Sequence, residues 1–102
     1  MQPFIIARRE EIAELCRKHH VRRLSVFGSA TRDDFDPAIS DVDVIVEFEE
    51  MPIEQYSDNK WSLHDELAAK FDSKVDLLTW KSLTNPVIRK EVESTHVMLY
   101  AA

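Results

Sequence analysis

The chain has 102 residues, of which 44% are hydrophobic and 31% are charged, with one glycine and one cysteine. This length suffices for one hydrophobic core, and the composition is typical of a folded globular domain rather than a disordered chain. A single cysteine excludes an internal disulfide framework, so a reducing cytoplasm is the expected compartment. No apolar run is long enough to cross a membrane and no secretory signal precedes the first predicted helix, so we expect no membrane partner.

The net charge is −6 and is unevenly distributed along the chain. Residues 1–23 carry six basic and three acidic side chains, whereas the remaining residues carry seven basic and sixteen acidic ones. An acidic body repels the phosphate backbone of DNA or RNA. The charge therefore disfavours direct nucleic-acid binding and favours a basic protein partner or a metal-bound nucleotide.

The first half of the chain is predicted to contain a helix and two strands. Apolar residues at helical spacing predict the helix over residues 4–19, and β-rich or apolar runs predict the strands. Ser29 to about Asp34 can start a short helix with Ser29 as its cap, followed by a loop around Pro37. The predicted strands are Arg23–Phe27 and Asp41–Phe48.

The second half is predicted to contain two helices and two strands. Glu49–Asn59 includes Pro52 and has mixed polarity, which predicts a surface loop with at most a short turn of helix. The predicted elements that follow are a helix over Lys60–Phe71, a strand over Lys74–Trp80, a helix from Asn85 to about Ser94 and a short strand over His96–Tyr100. The order indicates an α/β (α+β) fold, with a small mixed β-sheet flanked by helices in a single domain over residues 1–102.

Gly28 and Ser29 directly follow the first predicted strand. A glycine between a strand and a helix permits a tight turn in which the backbone comes close to a ligand. The amide groups at the start of a helix favour a phosphate. Gly28 and Ser29 are therefore candidate phosphate-binding residues.

Asp41, Asp43 and Asp76 are the candidate catalytic and metal-binding residues. The period of two in a strand places Asp41 and Asp43 on one face, opposite the Val residues between and after them. Asp76 is the one acidic residue within the next apolar strand, so all three carboxylates converge if these strands pair. Oxygen ligands without a nearby cysteine or suitably spaced histidine favour Mg²⁺, with Mn²⁺ as the alternative. Such a site suits nucleotidyl transfer, in which one carboxylate helps to deprotonate an attacking hydroxyl.

Gly28-Ser29, the spacer to Ser40-Asp41-Val42-Asp43 and the isolated Asp76 resemble the signature of the DNA polymerase β-like nucleotidyltransferase superfamily. The segments GSATRDDFDPAISDVDVIVEF and KVDLLTW resemble the minimal nucleotidyltransferases (MNT) of prokaryotes. The resemblance implies that Gly28 and Ser29 hold the nucleotide phosphates, that Asp41 and Asp43 bind Mg²⁺, and that Asp76 completes the site. It covers nearly the whole chain. Many members carry further glycines where this chain has Thr31-Arg32-Asp33 and Asp72-Ser73.

The resemblance also implies a partner and a reaction. Small MNT proteins are typically antitoxins paired with a HEPN-family ribonuclease toxin, and the implied activity is transfer of AMP from ATP to a tyrosine of that toxin. Two alternatives stay open. One is an antitoxin that neutralises its toxin by binding alone, and the other is nucleotidyl transfer to a hydroxyl of a small molecule.

For the other reactive side chains, structural roles are the preferred interpretation. His19 and His20 diverge on a helix, and His64 and His96 are isolated, so none suggests a metal pair. Cys16 lies on the apolar stripe of the first predicted helix and is expected in the core. Core or interface packing is expected of Trp61 and Trp80 rather than stacking on a base. Arg32 is only a weak candidate for contact with a triphosphate.

Overall fold

The computed structural model describes residues 3–31, 36 and 41–102 of the chain. Within these residues four β-strands form one mixed sheet in the order β3-β2-β1-β4. The strands are β1 (Val21–Phe27), β2 (Val42–Phe48), β3 (Val75–Thr79) and β4 (Val97–Ala101). The helices are α1 (Pro3–Ile6), α2 (Arg9–Lys18), α3 (Ile53–Phe71) and α4 (Pro86–Thr95). The predicted mixed α/β sheet flanked by helices is confirmed.

β1 pairs with both β2 and β4 in antiparallel orientation, whereas β2 and β3 run parallel to each other. The parallel pair requires a crossover connection, and the 19-residue helix α3 provides it. Because β3 lies at one edge and β4 at the other, the two central strands are β2 and β1.

One face of the sheet packs against α2 and α3 and contains the main hydrophobic core. The strands contribute alternate apolar residues to this face, and the helices contribute the residues that recur every three or four positions. The fully buried members are Ile5, Ile12, Cys16, Val21, Leu24, Val26, Val42, Val44, Val46, Leu63, Leu67 and Phe71. Leu63, Leu67 and Phe71, which recur at helical spacing, therefore form the buried face of a helix.

Polar contacts join α4 and its ends to residues away from the main core. The ring of His96, which directly follows α4, hydrogen-bonds through Nδ1 with Oγ of the buried Ser25 at 3.0 Å. Arg89 of α4 donates from Nη1 to the backbone oxygen of Trp80 at 2.6 Å. Asn85 caps α4, because its Oδ1 accepts from the backbone amide groups of Val87 and Ile88 at 2.9 and 3.3 Å.

The predicted single helix over residues 4–19 is wrong, because the chain turns at Ala7-Arg8 between α1 and α2. The backbone amide of Arg8 donates to the Ile5 oxygen at 3.1 Å, which closes the turn. Arg8 Nε also donates to the backbone oxygen of Lys70 at 2.7 Å, at the end of α3. A contact with a residue 62 positions away leaves no trace in the local apolar spacing.

The predicted loop over Glu49–Asn59 is also wrong in its second half, because α3 begins at Ile53 and continues to Phe71. Pro52 is not a breaker here, since it precedes the first helical residue and needs no amide hydrogen at that position. Gln55 donates its backbone amide to the Pro52 oxygen at 2.9 Å, which starts the helix.

Smaller differences concern the ends of elements. β1 begins at Val21 rather than Arg23, and the described part of the predicted helix after it is a 3-10 helix over Gly28–Thr31. The rest of the predicted helix to Asp34, and the following loop apart from Asp36, lie outside the described residues. No helix in the described part of the chain is long and apolar enough to cross a membrane.

Candidate active site

The 3-10 turn at Gly28 is pressed directly against β2. Gly28 has a φ of +64°, a left-handed conformation that glycine adopts at little cost. A Cβ atom at this position would lie 2.6 Å from Oδ2 of Asp43. Thr31 Oγ1 donates to the Gly28 backbone oxygen at 2.8 Å and closes the turn. The absence of a side chain at residue 28 therefore lets the turn and the Asp43 carboxylate lie in contact.

Asp43 and Asp76 are direct neighbours across the parallel pair of strands. They are paired in the register of β2 and β3, one position after Val42 and Val75. The backbone amide of Val42 donates to the Lys74 oxygen at 2.9 Å and fixes this register at its start. Since paired residues of neighbouring strands project to the same side, both carboxylates lie on the face opposite the main core.

Asp41 precedes β2 by one residue and is exposed, as is Asp76, whereas Asp43 is half-buried. Burial, together with the smaller effects of the charges of Asp76 and Asp41, raises the pKa of Asp43 from 3.8 to about 6. The three carboxylates thus act on one another electrostatically. A cation beside Asp43 would offset both the burial of its charge and the repulsion from its neighbours.

The described residues do not form a complete metal centre by themselves. Among them, no group of three or more His, Cys, Asp or Glu side chains is arranged to hold a metal ion. The carboxylates are therefore a partial set of oxygen donors beside the Gly28 turn. Mg²⁺ is commonly bound in this way, through one or two carboxylates with the remaining ligands supplied by substrate phosphates and water.

Two cavities lie next to these residues. One, of about 380 Å³, lies between the Gly28 turn and α4 and is lined by Phe27, Gly28, Thr31, Ile88, Glu91, Val92 and Thr95. The other, of about 140 Å³, lies beside Asp76 and is lined on the α3 side by Lys60, Trp61 and His64. Sequence analysis did not identify the α4 residues, because their position depends on how α4 packs rather than on a local motif.

The structure describes only part of the predicted phosphate-binding site at Gly28 and Ser29. Both residues belong to the 3-10 turn, but the Ser29 side chain lies outside the described part of the structure, as does all of Arg32. The turn places the Gly28 backbone beside the Asp43 carboxylate.

The side chains that were expected to be structural differ in their surroundings. Cys16 is fully buried, and burial raises the pKa of its thiol to about 12, so it is an unreactive core residue. His19 is buried between α2 and α3, where its ring hydrogen-bonds with Asn59 and Glu66. His64 hydrogen-bonds through Nε2 with the Val75 backbone oxygen at 2.9 Å, at the edge of the sheet. Trp61 is 64% exposed, so of the two predicted roles, core and interface packing, the first is wrong for this residue and the second stays a prediction.

Comparison with known proteins identifies the class to which this fold and site belong. Residues 9–98 match the family model described as a nucleotidyltransferase domain. The chain therefore belongs to the nucleotidyltransferase domain family, and the resemblance stated from its motifs is confirmed.

A relative from Methanocaldococcus jannaschii, named as a candidate protein adenylyltransferase, is 35% identical over 91 residues. The alignment covers 81% of this chain and 89% of the relative.

Two solved structures share the fold. A chain from a toxin–antitoxin structure with AMP-PNP has a TM-score of 0.69 at 24% identity, covering 92% of this chain and 73% of that one. A chain from the complex of a tri-AMPylated Shewanella oneidensis HEPN toxin with its MNT antitoxin has a TM-score of 0.64 at 22% identity. That match covers 95% of this chain and 72% of the other.

Proposed function

We propose that this nucleotidyltransferase transfers AMP from ATP to a tyrosine hydroxyl of a cognate HEPN ribonuclease toxin, and so acts as an antitoxin. The observation that carries the proposal is the pairing of Asp43 with Asp76 beside a glycine turn that contacts Asp43. The relative named for protein adenylylation and the fold shared with a chain of an MNT–HEPN complex support the acceptor class.

In this proposal the backbone of Gly28 and Ser29 binds the phosphates of ATP, and Asp41, Asp43 and Asp76 would supply carboxylate ligands to Mg²⁺ that the phosphates complete. The donor set fits this cation, because it consists of carboxylate oxygens and lies where phosphate oxygens can supply further ligands. The ion would neutralise the charge that develops on the phosphates and the leaving group.

The reaction forms a bond between the tyrosine oxygen and the α-phosphorus of ATP. The bond from that phosphorus to the oxygen bridging to the β-phosphate breaks, and pyrophosphate leaves. We assign the hydroxyl proton to Asp76, because this exposed carboxylate lies on the edge strand, where an acceptor on another protein can approach. The half-buried Asp43 and the exposed Asp41 are then left to bind the metal-bound nucleotide.

The other attributes of the proposal follow from the same features. We expect the chain to act as one nucleotidyltransferase domain in the cytoplasm, without direct contact to nucleic acid or a membrane. The acceptor protein supplies the tyrosine in a hetero-oligomeric complex. The acidic charge of the chain, −6 overall, favours a partner with a basic surface.

The test is transfer of label from α-labelled ATP to a HEPN-type protein encoded beside this chain and co-expressed with it. Asp43→Ala should lower the rate by about a thousandfold, because the metal and phosphate interactions it removes are worth several kcal/mol in the transition state. Asp58→Ala is the matched control, since Asp58 is an exposed carboxylate on α3. Its rate should equal that of the native chain.

Two other outcomes would contradict the proposal. If neither the native chain nor Asp43→Ala labels the partner, yet both bind it and block its ribonuclease activity, the chain neutralises its partner by binding alone. If label moves to a small-molecule hydroxyl and not to the protein, the acceptor class is wrong.

A further inference from the structure

The cavity between the Gly28 turn and α4 has a composition that suits part of a nucleotide. Its volume of about 380 Å³ lies in the range of small-molecule sites. Phe27, Ile88 and Val92 make its walls apolar, whereas Thr31 and Thr95 have hydroxyl groups that are already hydrogen-bonded to backbone oxygens. Glu91 is the one charged side chain among its described lining residues.

The Glu91 carboxylate is available to a ligand. Its backbone oxygen accepts hydrogen bonds from Ser94 and Thr95, but no hydrogen bond or ion pair engages its side chain within the described residues. The neighbouring acid on α4, Glu93, differs in this respect. Its Oε1 accepts from Arg89 Nε at 3.1 Å.

The position of Glu91 decides which part of a nucleotide it can meet. Gly28 and Glu91 line the same cavity, so a nucleotide whose α-phosphate lies at the Gly28 turn can place the group on the nucleoside side of that phosphate in this cavity. In a nucleoside triphosphate that group is the ribose. A carboxylate accepts hydrogen bonds but cannot donate them, and the vicinal 2′- and 3′-hydroxyls offer it two donors side by side.

We infer that the cavity beneath α4 is the ribose site of the nucleotide, and that Glu91 selects ribonucleotides by accepting hydrogen bonds from the 2′- and 3′-hydroxyls. The apolar wall formed by Phe27 and Ile88 packs against the sugar and the adjoining edge of the base. This inference rests on the proposed function, because it takes the Gly28 turn as the phosphate site.

Calorimetric titration of the native chain with ATP and with 2′,3′-dideoxy-ATP, both with Mg²⁺, tests the assignment. The native chain should bind ATP at least about tenfold more tightly, since two hydrogen bonds to a charged group are lost with the dideoxy compound. Glu91→Ala should weaken ATP binding by about the same factor and leave dideoxy-ATP unchanged, so that the ratio falls to about one. Glu93→Ala is the control on the same helix and should keep the native ratio.

Equal binding of the two nucleotides by the native chain would overturn the ribose assignment while leaving the proposed function in place. The same conclusion follows if Glu91→Ala weakens both nucleotides alike or neither. A native chain that binds neither nucleotide would overturn the proposed function as well. Circular dichroism of each variant checks that the helical content is unchanged.

Discussion

The two faces of the sheet have different compositions and different tasks. The face toward α2 and α3 is lined by buried Val and Leu side chains, and all of them belong to one hydrophobic core. The opposite face carries the paired Asp43 and Asp76 beside the Gly28 turn. The first face contains most of the buried apolar side chains, whereas on the second face burial and neighbouring like charges raise the pKa of Asp43. The carboxylates that the site needs therefore lower the stability of the fold. Mutations on the two faces can separate the effects on activity from those on stability.

The sharpest test of this difference uses two neighbouring leucines of β3. Leu77 is 8% exposed and belongs to the core, whereas the half-buried Leu78 projects to the opposite face. Leu77→Ala should lower the free energy of unfolding by about 3 kcal/mol, because it leaves a cavity in a packed core, and Leu78→Ala by about 1 kcal/mol. Urea denaturation measures both values. Equal losses would show that the two faces are not energetically distinct.

Gly28→Ala should have the next largest effect. Alanine at a φ of +64° is strained, and its Cβ would lie 2.6 Å from Asp43 Oδ2, so the carboxylate has to move. We expect a loss of about 1–2 kcal/mol in the free energy of unfolding, together with impaired ATP binding.

Gly28→Asn separates the two causes, because asparagine tolerates a left-handed conformation but still carries a Cβ. It should recover part of the stability and none of the ATP affinity. Recovery of both would mean that the contact with Asp43 is unimportant and that only backbone strain matters. Denaturation and calorimetry give the two readouts on the same samples.

Asp43→Asn should have the smallest effect on stability, and with the opposite sign. The folded chain raises the pKa of Asp43 from 3.8 to about 6, so between these values it holds more protons than the unfolded chain. The contribution of this residue to the free energy of unfolding therefore falls as the pH rises through that range. Removing the charge should stabilise the metal-free protein at neutral pH by about 1 kcal/mol, after allowance for the solvent that reaches a half-buried group.

The pH dependence provides the control for this prediction. The advantage of Asp43→Asn over the native chain should disappear near about pH 3, where the native carboxyl is protonated in both states. Urea denaturation at the two pH values, in buffer with a chelator, measures the difference. A variant that is less stable than the native chain at neutral pH would contradict the proposed repulsion among the carboxylates.

The carboxylate arrangement could be predicted from sequence because it depends on local rules. The period of two places Asp43 on the face opposite Val42 and Val44, and an acidic residue inside the apolar run around Asp76 indicates a strand with one polar face. Pairing of the two strands then brings the carboxylates together, and the observed register places Asp43 directly beside Asp76.

The errors in prediction arose where distant contacts or ambiguous residues decide the structure. The break between α1 and α2 coincides with a hydrogen bond from Arg8 to Lys70, which no local pattern encodes. Pro52 was interpreted as part of a loop, although proline is equally compatible with the start of a helix. The Glu91 cavity depends on the packing of α4 against the Gly28 turn, so no spacing in the sequence could have identified it.

The central claim is that the polar face binds a metal-bound nucleotide through its carboxylates. Calorimetric titration of Mg²⁺-ATP into the native chain, Asp43→Asn, Asp76→Asn and the exposed control Asp58→Asn tests it most directly. We predict that the native chain and Asp58→Asn bind alike, and that the two site variants bind at least about tenfold more weakly, because each loses a charged oxygen ligand of the cation. Equal affinity in all four proteins would contradict the account.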